Sequence, residues 1–402
     1  MWLLNPSQIG AAIVIDLIFG DPYGWPHEAR FAGMLSTVYE RWLTRHFPRS
    51  ILLGRLFWFV VVGTMLAGYA IVHVICSLIS PVATYVFDVF IIYQAIAARD
   101  LHKHAKSILR ALVSGDLGAA RERLSYIVGR DTQSLDASEI SRATIESVSE
   151  SLVDGIVAPL FWAVIGGAPG ALIYRTANTL DSMVGHRTPA YEKFGKPSAR
   201  IDDLLNWVPA RLCALMICLF RVPASWPKVQ REAGAHASPN AGWPEAAMAY
   251  ALGVRLGGTN FYAGEPVEGP IFNASGRAAG VDDVRVSLTS IWWIVLAVGW
   301  FFIGLLLVPE GFTVIARHEM PRKTATMIRP VGNGVISGAR FRLSSENRAS
   351  SPTDHTVPYG TGSWMPRFQA FHAWLPSFRP SGTQATMLAR MNSCRAAMEQ
   401  VP

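Results

Sequence analysis

Charge is what this sequence has least of. Only 16% of its 402 residues are Asp, Glu, Lys or Arg, against about 25% in an average soluble chain. Half are hydrophobic, which is the balance of a membrane protein with room for a large core. Cysteine is scarce as well. Cys76, Cys213, Cys218 and Cys394 form no CxxC pair and three lie in apolar runs, which excludes a disulfide framework or a zinc site. The opening MWLLNPSQIG has no positive n-region, and Asp16 interrupts the apolar run that follows, so no cleaved signal peptide is expected. A net charge of +7 comes without a dense basic patch interleaved with aromatics, so nucleic acid is not an expected partner. A Walker A loop is also missing, because Gly195-Lys196 has Ala190 where that motif needs glycine.

Long apolar runs, by contrast, are present. Residues 56–79 and 82–98 read as two spans around a turn at Pro81, since about twenty apolar residues cross a bilayer. Residues 288–308 read as a last span, with tryptophans suited to an interface. Residues 156–173 are apolar but interrupted by Pro159 and GGAPG, which predicts a broken or re-entrant hairpin. A possible short span covers 207–222. Between the spans, 28–50 and 99–131 are basic links, and both are expected on the cytoplasmic side. Asp136 with Glu139 predicts a capping box that opens a helix. The fold expected is all-α: a polytopic integral membrane protein with broken or re-entrant helices and cytoplasmic helical segments. Its membrane-embedded catalytic domain takes residues 1–308, including a cytoplasmic segment at 99–150. Residues 309–402 form a basic tail without apolar period, expected to be mostly disordered.

The charge that remains is concentrated between Arg142 and Arg211. Arg142, Glu146, Glu150 and Asp154 fall four apart, so a regular helix puts them on one face. Stacked like charges repel there, and Arg142 neutralises only part of the set. Tyr174, Asn178 and Asp181 follow at i, i+4, i+7, then Arg200, Asp202, Asp203, Asn206 and Arg211. Buried charge is costly unless it is paired or coordinates something. Internal salt bridges would explain any one of these residues, and three clusters within seventy residues favour a site. The turn GDPYGWPHEAR adds Asp16, Asp21 and His27 as a further group, with a capping Asp21 and a solvated His27 as the alternative. Further on, SPNAG leaves free backbone N–H groups before a helix with Pro244 in its first turn, an anion site in waiting.

The motifs GDP (20–22), GRDT (129–132), ESVSESLVDGIVAPLFW (146–162), YRTANTLDSMVG (174–185), YEKFG (191–195), SARIDDLLNWVPAR (198–211), SPNAGWPEAAMAYALGVRLGG (238–258) and NFYAG (260–264) occur in order. With them, residues 10–308 resemble the adenosylcobinamide-phosphate synthase family, the cobalamin biosynthesis proteins CbiB/CobD. Two positions depart from the family pattern. Glu150-Ser151 stands for Glu-Asn, and His27-Glu28 stands for His-Pro.

The resemblance implies an ATP-dependent amide ligase at the inner membrane, with its active site toward the cytoplasm. It joins a carboxylate of a corrinoid, adenosylcobyric acid, to an aminopropanol or its phosphate. Other late enzymes of cobalamin synthesis are expected partners. The residues are compatible with this. Phosphorylating a carboxylate gives it a leaving group, and Mg²⁺ with Arg or Lys would stabilise the charge. Catalytic candidates are Glu146, Glu150, Asp154, Asn178, Asp181, Asp202 and Asp203. Of these, Glu150, Asp154, Asp181 and Asp203 are the expected Mg²⁺ ligands. Lys193, Lys196, Arg200, Arg211, Ser238, Asn240, Arg255 and Asn260 are expected to bind substrate. Two alternatives stand beside this one. NTLD and IDD fit an intramembrane Mg²⁺-dependent prenyl-diphosphate transferase, and broken helices with charges fit a transporter.

Overall fold

The computed structural model describes residues 6–22, 25–186 and 188–307, with side chains described up to Gly299. Its helices are α1 (Pro6–Phe19), α2 (Glu28–His46), α3 (Ile51–Ile79), α4 (Pro81–Ala95), α5 (Ala98–Val113), α6 (Leu117–Ser125), α7 (Ala137–Leu152), α8 (Ala158–Val184), α9 (Lys196–Arg221), α10 (Trp226–Glu232), α11 (Gly242–Leu252) and α12 (Val281–Leu307). Four helical runs are long and apolar enough to cross a membrane. In the most apolar one, α3, only 17% of the apolar window is buried. Phe59, Ile71, Leu78 and Ile79 are exposed on it. A helix that is apolar all round and largely uncovered is stable only when lipid covers it.

Caps set the element boundaries. Ser50 caps α3 by accepting from Leu53 N–H at 3.1 Å. Ser80 ends α3 and caps α4, with Pro81 in the first turn where its missing N–H costs nothing. The expected capping box is present at α7: Asp136 accepts from Glu139 N–H, and Glu139 accepts from Asp136 N–H. The apolar stripe of α5 buries Ile108 and Leu112.

The break expected from GGAPG falls at Gly167. Its φ of 61° and ψ of −150° lie in a region essentially restricted to glycine. The chain turns back there. A Cβ on Gly170 would stand 2.2 Å from the Trp162 carbonyl oxygen, an approach that a straight helix forbids at eight residues' separation. The Tyr174 hydroxyl likewise returns to within 3.5 Å of Asp154 Oδ1. The run from 137 to 184 is therefore a hairpin.

One expectation is corrected. The short span at 207–222 is the second half of α9, one 26-residue helix running through Pro209. Residues 28–46 of the first basic link form a regular helix. It buries Ala32, Gly33 and Ser36, and it also exposes Phe31, Met34, Val38 and Trp42. Two short antiparallel pairs interrupt the helical pattern: β1 (Leu256–Gly257) with β4 (Ile271–Phe272), and β2 (Asn260–Tyr262) with β3 (Glu265–Val267). They begin once α11 stops at Gly253, which is left-handed with φ 66°. The tail, 309–402, lies outside the described residues.

Candidate active site

A cavity of about 620 Å³ lies between α7, the 128–130 loop, the start of α11 and the two hairpins. Its polar lining is Arg130, Glu146, Ser147, Glu150, His236, Glu245, Asn260, Tyr262 and Glu268. Glu146 is the anchor. Arg130 Nη2 donates to its Oε2 at 2.6 Å, Arg142 Nη1 to its Oε1 at 3.1 Å and Gly257 N–H to its Oε1 at 2.7 Å. Asn260 Oδ1 accepts from both arginines, at 2.7 and 2.9 Å. A fully wrapped buried carboxylate of this kind holds geometry. Burial opposes the charge on Arg130, and the Glu146 carboxylate overrides it and raises its pKa. Arg130 Nε is buried and has no acceptor among the described residues.

Glu245 behaves in the opposite way. Burial first, and then the charges of Glu146 and Glu150, push its pKa well above the usual carboxylate range. It therefore holds its proton more tightly than a free carboxyl does. His236 is held neutral, since burial lowers its pKa against the pull of Glu150. Its Nδ1 accepts from Ser238 N–H at 3.0 Å. A neutral ring with Nδ1 occupied as acceptor carries its proton on Nε2. His236 thus offers a donor rather than a base.

A second polar group runs between α8 and α9. Asn178 and Asn206 both donate to Asp202, at 3.2 and 3.1 Å, and Tyr174 donates to Asn206 at 2.9 Å. Asp202 is thereby satisfied as a buried structural acid. Asp154 joins this group rather than the cavity. Residues 153–157 form a π-helical turn, which inserts an extra residue per turn and rotates Asp154 out of register with Glu146 and Glu150. The expectation of one acidic face through Asp154 is corrected there. Arg211 is stacked between Trp207 and Trp243, 4.1 and 4.6 Å from the ring centroids. Asn240 Nδ2 donates to the Asp203 carbonyl at 2.7 Å.

Of the residues singled out in the sequence, Glu146, Glu150 and Asn260 line the cavity. Asp181 is buried near the end of α8, while Lys193, Lys196, Arg200 and Arg255 are exposed. The free N–H groups expected in SPNAG are taken, because Ser238 Oγ accepts from Asn240 and Ala241 N–H. His27 is buried against Asp21 at 3.2 Å rather than solvated. The expected Mg²⁺ set is not assembled: Glu150 lines the cavity and Asp154, Asp181 and Asp203 do not. Among the described residues no three His, Cys, Asp or Glu side chains form a metal-binding group. Arg130, His236, Glu245 and Tyr262 are site residues that sequence reasoning passed over. The signal was available in two runs already singled out, GRDT for Arg130 and the WPE of SPNAGWPE for Glu245.

Lipid-exposed apolar helices around a buried, charge-lined cavity define a helical membrane protein with an internal polar site. The family described as CobD/Cbib protein matches residues 9–291. Over 296 residues the chain is 40% identical to cobalamin biosynthesis protein CobD of Klebsiella pneumoniae, covering 70% of this chain and 91% of the relative. It is 45% identical over 266 residues to the CobD protein of Geobacter metallireducens, covering 64% and 83%. It is also 40% identical over 291 residues to cobalamin biosynthesis protein CbiB of Salmonella typhimurium, covering 70% and 91%. No solved structure matches. The chain belongs to the CobD/CbiB family of cobalamin biosynthesis proteins.

Proposed function

We propose that the protein is an ATP-dependent ligase that joins a propionate-type carboxylate of adenosylcobyric acid to an aminopropanol or its phosphate. The observation that carries this reading is the convergence, in one cavity, of Arg130 and His236 with the carboxyl groups of Glu146, Glu150 and Glu245. The reading places the corrin ring at the mouth of the cavity with one acid arm inside. The arm's carboxylate attacks the terminal phosphorus of ATP; ADP leaves and an acyl phosphate forms. The amine then attacks the acyl carbon, phosphate departs and the amine's proton is lost. Arg130 and His236 Nε2–H hold oxygens that gain charge. Glu150 is the acceptor for the amine's proton, and Glu245 in its protonated form donates to departing phosphate.

Mg²⁺ belongs to the proposal in a revised form. The four-residue set does not fit. Of the four, only Glu150 lines the cavity, where it would hold the ion beside substrate phosphates; Glu245, the proton donor, is not a ligand. When bound, the ion supplies charge neutralisation at those phosphates. Membrane placement in the inner membrane with a cytoplasmic site is also proposed, from the basic excess of 28–50 and 99–131. Arg45→Cys and Lys106→Cys, both exposed, should label only after the membrane is opened.

The test is detergent-purified protein with adenosylcobyric acid, ATP, Mg²⁺ and aminopropanol phosphate, read by mass spectrometry. The expected result is a product heavier by one amine less one water, with turnover reduced about 100-fold in Glu150→Gln. Absence of product, with metal-dependent labelling by a prenyl diphosphate or flux into vesicles, would replace the reading by one of the two alternatives.

A further inference from the structure

A second group of charges lies where the end of α1, the turn before α2, the α4–α5 junction and the returning arm of α8 meet. Glu28 is its centre. It is 4% exposed, and among the described residues nothing donates to either carboxylate oxygen. Its own backbone N–H is bonded to Gln94 Oε1 at 3.1 Å, so the residue is held while its charged end is left open. The groups acting on that carboxylate are Arg175 of α8 and Asp21 of the turn. Asp16, 1% exposed, accepts from Arg99 N–H through Oδ2, and its Oδ1 has no donor. Asp100 Oδ2 is likewise without a donor. Arg30 and Arg175 face Asp21 and His27. Arg175 makes no ion pair among the described residues, and its Nε donates to nothing there. His27 accepts from Ala29 N–H through Nδ1, so its Nε2–H is directed at Asp21.

A buried carboxylate with both oxygens unmade is costly, on the order of several kcal/mol. The sites that keep such a group are the ones that receive a donor. A metal ion would need three ligands converging at short range, and none converge among the described residues. An ammonium has longer reach. Its three N–H bonds span acceptors several ångströms apart, and its charge offsets the four acids Asp16, Asp21, Glu28 and Asp100. A ligand that also carries an anion finds the Arg175 guanidinium beside them.

We propose that Asp21, Glu28 and Arg175 form a binding site for a small ammonium-bearing ligand, the ammonium on the two carboxylates and any phosphate on the arginine. The inference does not rest on the amide-forming reading: Asp21, Glu28 and Arg175 lie apart from the cavity lined by Glu146 and Glu150, and the amine is identified only by its chemistry. The ligand leaves its proton balance on the site. Burial raises Glu28 to about 8 and Asp21 to about 7, so at neutral pH ammonium binding to carboxylate drives a proton off.

The experiment is equilibrium calorimetry on the full-length protein in detergent, without corrinoid or nucleotide, so that its outcome is independent of turnover. The probes are ethanolamine, ethanolamine phosphate and inorganic phosphate. Ethanolamine phosphate and ethanolamine should bind, with heats that vary with buffer ionisation enthalpy at pH 7 as a proton is released. Glu28→Gln should weaken both amines at least 10-fold and leave inorganic phosphate unaffected. Arg175→Gln should weaken ethanolamine phosphate more than ethanolamine. Should Glu28→Gln not fold, the buffer dependence in the unaltered protein decides. Amine binding insensitive to Glu28→Gln, no buffer-dependent heat, or inorganic phosphate binding that depends on Glu28 would overturn the proposal. If binding is as expected and no amide forms in the ligase assay, the reaction reading fails and the site stands.

Discussion

Glu146 in the cavity and Glu28 at the start of α2 are buried alike, at 5% and 4% exposure. Glu146 has two arginines and a backbone N–H on its oxygens. Glu28 has none of these. Burial is therefore not what distinguishes a structural acid from one with capacity left over. The partner set does, because a desolvated charge is stable only to the extent that neighbours replace its water. The first region is pre-built and closed around its anchor. The second holds a side chain in place and leaves its chemistry unmade.

Breaking the closed region should have the largest effect. Arg130→Ala leaves Glu146 with Arg142 and the Gly257 N–H and is expected to cost about 3–5 kcal/mol of stability, measured as the shift in unfolding midpoint in detergent. Turnover should fall with it. A loss within about 0.5 kcal/mol would mean that the Glu146 anchor is no more demanding than Glu28. Next is the hairpin, which carries Glu146 on one arm and Arg175 on the other. Gly167→Ala forces a side chain into a glycine-only conformation and should cost about 1–3 kcal/mol, lowering activity and amine binding together. An effect on one alone would show that the two regions do not depend on a common turn.

The open region should be felt through pH. Glu28 binds its proton more tightly folded than unfolded, because its pKa rises from 4.5 to about 8. Stability is then fully present below about pH 4.5 and is lost as pH rises through about 8. Asp21, raised to about 7, acts in the same sense. His27, lowered to about 3 by burial, has the opposite sense and contributes only below its ordinary value of 6.5. Between pH 7 and 8 the unaltered protein should lose stability with a slope of at most about 1.4 kcal/mol per pH unit for Glu28, and Glu28→Gln should flatten it. An unchanged slope would show that Glu28 already has its partner. The smallest effect belongs outside both regions. Asp136→Ala removes half of the capping box and should cost about 1 kcal/mol with turnover per folded molecule unchanged.

Parts of both regions were legible in the sequence because their signals are local. Pro159 and GGAPG announced a break, and Gly167 makes it. Asp136 and Glu139 announced the start of α7 three residues apart. Glu146, Glu150 and Asn260 were marked as site residues by their polarity in an apolar context, and they meet in the cavity. Asp154 was misplaced because a π-turn has no signature in a four-residue spacing. Lys193, Lys196, Arg200 and Arg255 were chosen for their charge, and charge alone does not say which way a side chain faces.

By itself, the sequence determined the class of protein, the break in the hairpin and the family. Each follows from composition, short-range periodicity or ordered motifs, which are properties of neighbouring residues. Only the tertiary structure decided which charges are spent and which remain. Glu146 finds Gly257 111 residues along the chain, Asn260 joins Arg130 across 130, and Glu28 is left open among α1, α5 and α8. Buried acids take their energies from partners brought by packing, and that distance is set by the fold and by nothing in the local chain.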